Sequence, residues 1–221
     1  MKTLKRMLAV MLAVVMMMGL GVTSMAATPS ADGEITVPVK VEVVGLPSNY
    51  TGTATVGVLY DGNVTLSEDD NPTAMDFIDA TGLTIGKSTN GDYITSINGL
   101  GSIDVEYTSN SYKGYSWMID MKAGNSVTTQ GTKPSWAAAA PEANTWFESP
   151  LAATNVAMSG SQYFPYDYSN QSAGGFTTSV EGIYVKYVLT ETTRNSGRSQ
   201  RLVDFSCYIR GGKTWENQKF I

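Results

Sequence analysis

Histidine is missing from all 221 residues, and cysteine occurs once, as Cys207. The first absence excludes Ser-His-Asp and Cys-His catalysis and any zinc site that needs imidazole. The second excludes an internal disulfide. Charge is also scarce, at 16% of residues, and arginine is absent from Thr28 through Thr190. Of the 15 basic residues, Lys2, Lys5 and Arg6 lie at the extreme N-terminus; the 12 others face 20 acidic residues, a net charge of −8. That balance argues against nucleic acid as a partner, because phosphate binding needs concentrated Lys and Arg.

The chain opens instead with a secretory pattern. Lys2, Lys5 and Arg6 precede an apolar run from Met7 to Leu20, and Ser24-Met25-Ala26 puts small residues where a signal peptidase reads. The run is too short to span a bilayer comfortably, no cysteine follows it to carry a lipid, and no second apolar span exists. Residues 1–27 are therefore expected to be removed, leaving an exported protein, secreted or held at the cell surface, with no membrane span. The 22 glycines suit a β-rich secreted domain better than a disordered chain.

Residues 28–34 read as a flexible lead-in. Val37, Val39, Val41 and Val43 alternate with outward Lys40 and Glu42, which predicts a strand over Ile35–Val44; Pro38, lacking an amide hydrogen, places it at an edge or at its own start. Thr53–Tyr60 reads as a second strand left by a turn at Asp61-Gly62-Asn63. The acidic run Ser67–Asn71 lacks the ligand spacing of an EF-hand loop and reads as a solvated loop.

The chain is organised around the segment from Asn71 to Leu100. Asn71 or Thr73 can cap a helix with Pro72 in its first turn, and Asp76 places a negative charge at the positive end. Ala74, Phe77, Ile78 and Ala80 form its apolar face, and Gly82 stops it. Tyr93–Asn98 alternates as a strand, which should receive that helix, and Asn98-Gly99 turns the chain. Ile103–Tyr107 is a further strand, Thr108–Gly114 a polar turn. Tyr115, Trp117, Ile119 and Met121 share one face of the next strand; Ser116, Met118 and Asp120 share the other.

The Thr-Ala-x-Asp helix at Thr73–Asp76, the Gly-Asp-Tyr-Ile-Thr-Ser-Ile-Asn-Gly-Leu strand at Gly91–Leu100 and the Trp117-Met118-Ile119 strand resemble the transcobalamin-like C-terminal domain family. The resemblance spans roughly Ile35–Thr190, with its motifs between Thr73 and Met121. It implies an α+β fold, a β-grasp-like mixed sheet with one packed helix. It also implies contacts to a cobalamin-like ligand from Asn90, Asp92 and Tyr93 ahead of one strand and from Trp117 on another. No cofactor is firmly implied; a corrin would have to be held without an imidazole ligand and without the helical companion domain of a complete carrier. Past Met121 the family's Asn-Gly turn is replaced by Lys122-Ala123-Gly124-Asn125, and the carry-over stops there.

Residues 122–180 form a long insertion with five charged residues and eight aromatics. A loop of that length is unusual inside a compact domain and tends to be functional when it occurs. Trp136, Trp146, Tyr163 and Tyr166 are the candidate contacts, since aromatics with a polar edge are common at binding surfaces. The alternative is that these rings pin the segment to the sheet as a satellite core, the commoner use of apolar side chains. Gly182–Thr190 is a strong closing strand. After it Arg194, Arg198, Arg201 and Arg210 appear within a short tail, 191–221, which reads as a basic appendage outside the fold or as a dock for an anionic envelope.

Catalysis finds no support. Asp76 with Asp79, and Asp104 with Glu106, are spaced as solvated pairs on one face of a helix or strand, and no nucleophile elbow or phosphate loop is present. The expectation is a non-enzyme that captures a small ligand, cobalamin-like by resemblance, or a surface module that contacts protein or glycan. A concave apolar pocket would favour the first and a flat patch the second. The sequence leaves oligomeric state open.

Overall fold

The computed structural model describes residues 28–29, 33–108, 111–167, 170–194, 205–209 and 213–216. Residues 1–27, read above as a secretory signal, lie outside them. β1 is Thr28–Pro29, β2 Glu34–Val43 and β3 Gly57–Ser67; a 3-10 turn at Glu68–Asp70 leads to α1, Ala74–Asp79. Three short strands come next, β4 Ile85–Lys87, β5 Ile94–Ile97 and β6 Leu100–Gly101, then β7 Ile103–Tyr107 and β8 Ser111–Ala123. The rest is β9 Thr128–Gln130, β10 Trp146–Glu148, a 3-10 turn Ala153–Asn155, β11 Ser161–Pro165, β12 Gly175–Arg194, β13 Phe205–Ile209 and β14 Lys213–Glu216.

Among the described residues the class is α+β and β-rich: a mixed sheet of 11 strands, a separate sheet β4-β5-β6, and the single α-helix. β12, 20 residues long, is the spine. Its first third pairs antiparallel with β11 and β9, its middle lies antiparallel to β8 and parallel to β2, and its end takes β13. β3 lies on β2, and β7 and β10 on β8.

Period-two alternation sorts each long strand into two faces. Val37, Val39, Val41 and Val43 of β2, Ile183, Val185 and Tyr187 of β12, and Trp117 and Met121 of β8 are buried on one of them. Against that face sits α1, whose N-terminus is closed by a capping box: the Thr73 N–H and hydroxyl both donate to the Asp76 carboxylate at 2.7 Å. Ala74, Met75, Phe77 and Ile78 are buried. Ala80, expected on this face, is exposed, because the helix ends at Asp79 and Ala80 is its C-cap; Met75 takes the inward place.

Several expectations are corrected. β2 is interior rather than an edge. Pro38 is tolerated because it pairs only towards β3, falling between the last β1 pair at Thr36 and the first β12 pair at Val39, where no ladder needs its missing hydrogen. Asp61-Gly62-Asn63 is no turn but mid-strand, opposite Lys40, Val39 and Pro38, and Thr53–Val56 lies ahead of the strand. Ser111–Gly114 extends β8 instead of forming a turn. Tyr93–Ile97 does not enter the main sheet: β5 pairs with β4 and β6 only, and Ile97 and Leu100 reach the common core from that second sheet.

The helix instead leans on the insertion. Ala74 N–H donates to Val156 O at 2.8 Å, Met158 N–H to Pro72 O at 2.9 Å, and Ala153, Val156 and Met158 are buried beside it. The segment 122–180 is thus no loop but β9, β10, β11 and the start of β12. The stretch read as an appended tail likewise supplies β13, paired onto the end of β12, and β14, paired onto β13; Arg198, Arg201 and Arg210 lie outside the described residues.

Candidate interaction face

The second face of the main sheet carries the chain's polar chemistry. Register fixes its rows. Asp61 of β3, Lys40 of β2, Tyr184 of β12, Asp120 of β8 and Glu148 of β10 stand side by side across five strands. Glu42, Lys186 and Met118 form the next row on one side. On the other side are Pro38, then Gly182, Lys122 and Trp146.

Opposite charges meet on these rows. Lys40 pairs with Glu42 at 2.7 Å and Lys186 with Asp120 at 2.5 Å, while the Tyr184 hydroxyl donates to Glu42 at 2.6 Å. Hydrogen bonds from Lys40 and then Tyr184 hold the Glu42 carboxyl below its ordinary value. Burial, reinforced by Glu42, pushes the Tyr184 phenol far up, so it stays a donor. Lys40 Nζ also lies 5.1 Å from the centre of the Tyr184 ring. Among the described residues, Asp120 Oδ1 is buried and accepts no hydrogen bond.

Trp146 closes one end of this face. It is 45% exposed and meets Tyr184 edge-on at 6.1 Å. A Cβ on Gly182 would stand 3.0 Å from its indole, so the ring lies close over the bare backbone at 182 and a side chain there would push it outward by a few tenths of an ångström. Gly182 also comes just after the irregularity in the β12–β8 register at which Glu181 is set apart from the ladder.

The other residues singled out by the sequence do not assemble into one site. Asn90 and Tyr93 are exposed on the β4–β5 hairpin, whereas Asp92 accepts a hydrogen bond from Thr154 at 3.0 Å and ties that hairpin to the insertion. Trp117 is in the core, 7% exposed, its indole N–H donating to Leu100 O at 2.8 Å and its ring 5.0 Å from Tyr187. Trp136 is half-buried in the β9–β10 connection.

Tyr166 flanks an aromatic cluster in which Phe147, Phe164 and Phe176 have ring centres 5.0–5.3 Å apart. Tyr166 lies 6.2 Å from Phe176, and burial, then the neighbouring Tyr163, raises its phenol. A Cβ on Gly175 would come within 2.7 Å of the Tyr163 ring, so Tyr163 is packed against the backbone of β12. The insertion's phenylalanines therefore extend the common hydrophobic core.

Tyr184 and Lys186 are not marked as contacts by the sequence. Their only signal there is the alternation within Gly182–Thr190, where they interleave with buried Ile183, Val185 and Tyr187. Among the described residues no helix is long and apolar enough to cross a membrane, and no cluster of three or more acidic, His or Cys side chains is placed to hold a metal ion.

Fold and face together define a class: a mixed β-sheet domain with one packed face and one face of charged pairs edged by tryptophan. No family model, curated protein or solved structure matches the chain.

Proposed function

We propose that this is an exported, non-catalytic interaction domain, secreted or displayed at the cell surface, that binds glycan on the outer face of its main sheet. One arrangement carries the reading: the exposed Trp146 lying over Gly182 against Tyr184, with Lys122 and Glu148 in the adjoining positions. A sugar ring presents an apolar C–H face and a rim of hydroxyls. An aromatic plane takes the first, and carboxylate acceptors and ammonium donors take the second. An open sheet face suits an extended partner better than an enclosed small ligand.

Kinship with transcobalamin-like domains, and a β-grasp-like relation of helix and sheet, remain part of the proposal, supported by the helix-then-hairpin order at Ala74–Asp79 and Ile94–Ile97. Capture of a cobalamin-like molecule is the second reading, favoured by the joint exposure of Asn90 and Tyr93 on one hairpin.

Tryptophan fluorescence during titration with a glycan panel, and separately with cobalamins, tests both. The expected result is a saturable change with at least one glycan, lost in Trp146→Ala and kept in Trp117→Phe. A saturable corrinoid response that survives Trp146→Ala, with no response to any glycan, would replace the first reading with the second.

A further inference from the structure

We propose that Lys186 and Asp120 condense into an intramolecular isopeptide bond that joins β12 to β8. These are the two longest strands, of 20 and 13 residues, and their antiparallel ladder runs from Ser111 opposite Thr193 to Ala123 opposite Val180. The two side chains sit diagonally across that ladder, Lys186 opposite Met118 and Asp120 opposite Tyr184, 66 positions apart in sequence.

Nζ of Lys186 is 2.5 Å from Oδ2 of Asp120, and the side chains are only 20% and 13% exposed. The Tyr184 ring flanks the ammonium at 5.9 Å, and Glu42, opposite Lys186 on β2, is already engaged by Lys40 and Tyr184. Lys186 therefore has Asp120 as its reaction partner.

The second oxygen is the independent sign. Oδ1 is buried and accepts no hydrogen bond among the described residues, a costly setting for half of a carboxylate charge. As an amide carbonyl the same atom would be neutral, and the oxygen lost would be Oδ2, the one that faces Nζ. A cross-link between neighbouring strands would also give the chain a covalent tie that its lone Cys207 cannot provide internally.

The step balances without a co-reactant. A proton passes from the Lys186 ammonium to Oδ2, and the freed Nζ lone pair attacks Cγ. The Nζ–Cγ bond forms, the Cγ–Oδ2 bond breaks, and Oδ2 leaves as water with two of the three ammonium protons. Holding the two groups in contact corresponds to effective concentrations of about 10⁵–10⁸ M for well-oriented intramolecular reactions.

Intact-mass measurement of the purified mature chain under denaturing conditions decides the matter. The expected mass is lower than the sequence mass by one water. Trypsin should then yield a branched peptide joining Gly114–Lys122 to the segment ending at Arg194, because an amidated Lys186 is not cleaved. Lys186→Arg and Asp120→Ala should each restore the full mass. Full mass in the native chain, with ordinary cleavage after Lys186, overturns the proposal and leaves an ion pair; this result is read without reference to glycan binding.

Discussion

Replacing Trp117 by phenylalanine separates a structural tryptophan from a ligand contact. In the native fold the indole N–H donates to the carbonyl of Leu100 at 2.8 Å, and this buried bond ties β8 of the main sheet to β6 of the small one. Phenylalanine keeps the six-membered ring near Tyr187 but cannot donate. Leaving a buried acceptor unpaired costs about 1–3 kcal/mol. Shrinking the ring removes some packing as well, of order 1 kcal/mol against the ~3–5 kcal/mol of a full truncation to alanine. The sum is about 2–4 kcal/mol, a large share of the ~5–15 kcal/mol that holds an ordinary domain together. For a chain of this size each kcal/mol moves the midpoint by roughly 2–4 °C, so the melting temperature should fall by about 5–15 °C. Differential scanning calorimetry, with urea unfolding followed by circular dichroism, measures it. A variant as stable as the parent refutes the claim that this bond joins the sheets. A folded variant that has lost a ligand signal present in the parent refutes the assignment of Trp117 to the core.

Two further perturbations probe the interior. Phe164→Ala should cost about 3–5 kcal/mol in urea unfolding, because Phe164 is fully buried between Phe147 and Phe176; for the same reason deleting residues 133–172 should abolish cooperative unfolding rather than trim a loop. Burial pushes the Tyr187 phenol up to about 12, and its hydroxyl donates to Gly101 O at 2.8 Å. The unfolded chain then loses this proton first, from an ordinary value near ~10, so stability is complete below about pH 10 and declines by roughly 2–3 kcal/mol as pH rises to about 12. Tyr187→Phe should flatten that alkaline slope in denaturation measured across the range, and an unchanged slope would show that another group sets it.

The range of each interaction decided how much of the fold and site was legible. The capping residues Thr73 and Asp76 and the inward valines of β2 are local patterns, set by neighbours within a turn or by strict alternation, and they fall where composition and spacing put them. Lys40 and Glu42 on one strand, and Met118 and Asp120 on another, were likewise legible as outward positions. Their meeting was not. It depends on β2 lying parallel to β12 while β8 runs antiparallel on its other side, a pairing between segments more than 100 residues apart for the first and about 65 for the second. The aromatic insertion misled for a related reason. Phe147 and Phe164 lie on two short strands and Phe176 at the start of β12, with no common period, so nothing local distinguishes a binding loop from part of the core.

By itself, then, the sequence determined the exclusion of imidazole chemistry and of an internal disulfide, the capped helix and the two faces of its longest strands, because each rests on residue chemistry or on contacts within a few positions. Only the tertiary structure decided that Trp117 faces inward, that the helix leans on the turn at 153–155, and that Trp146, Tyr184, Lys186 and Asp120 share one surface. Those outcomes are set by register between distant strands, where a shift of one residue would send every side chain to the opposite face.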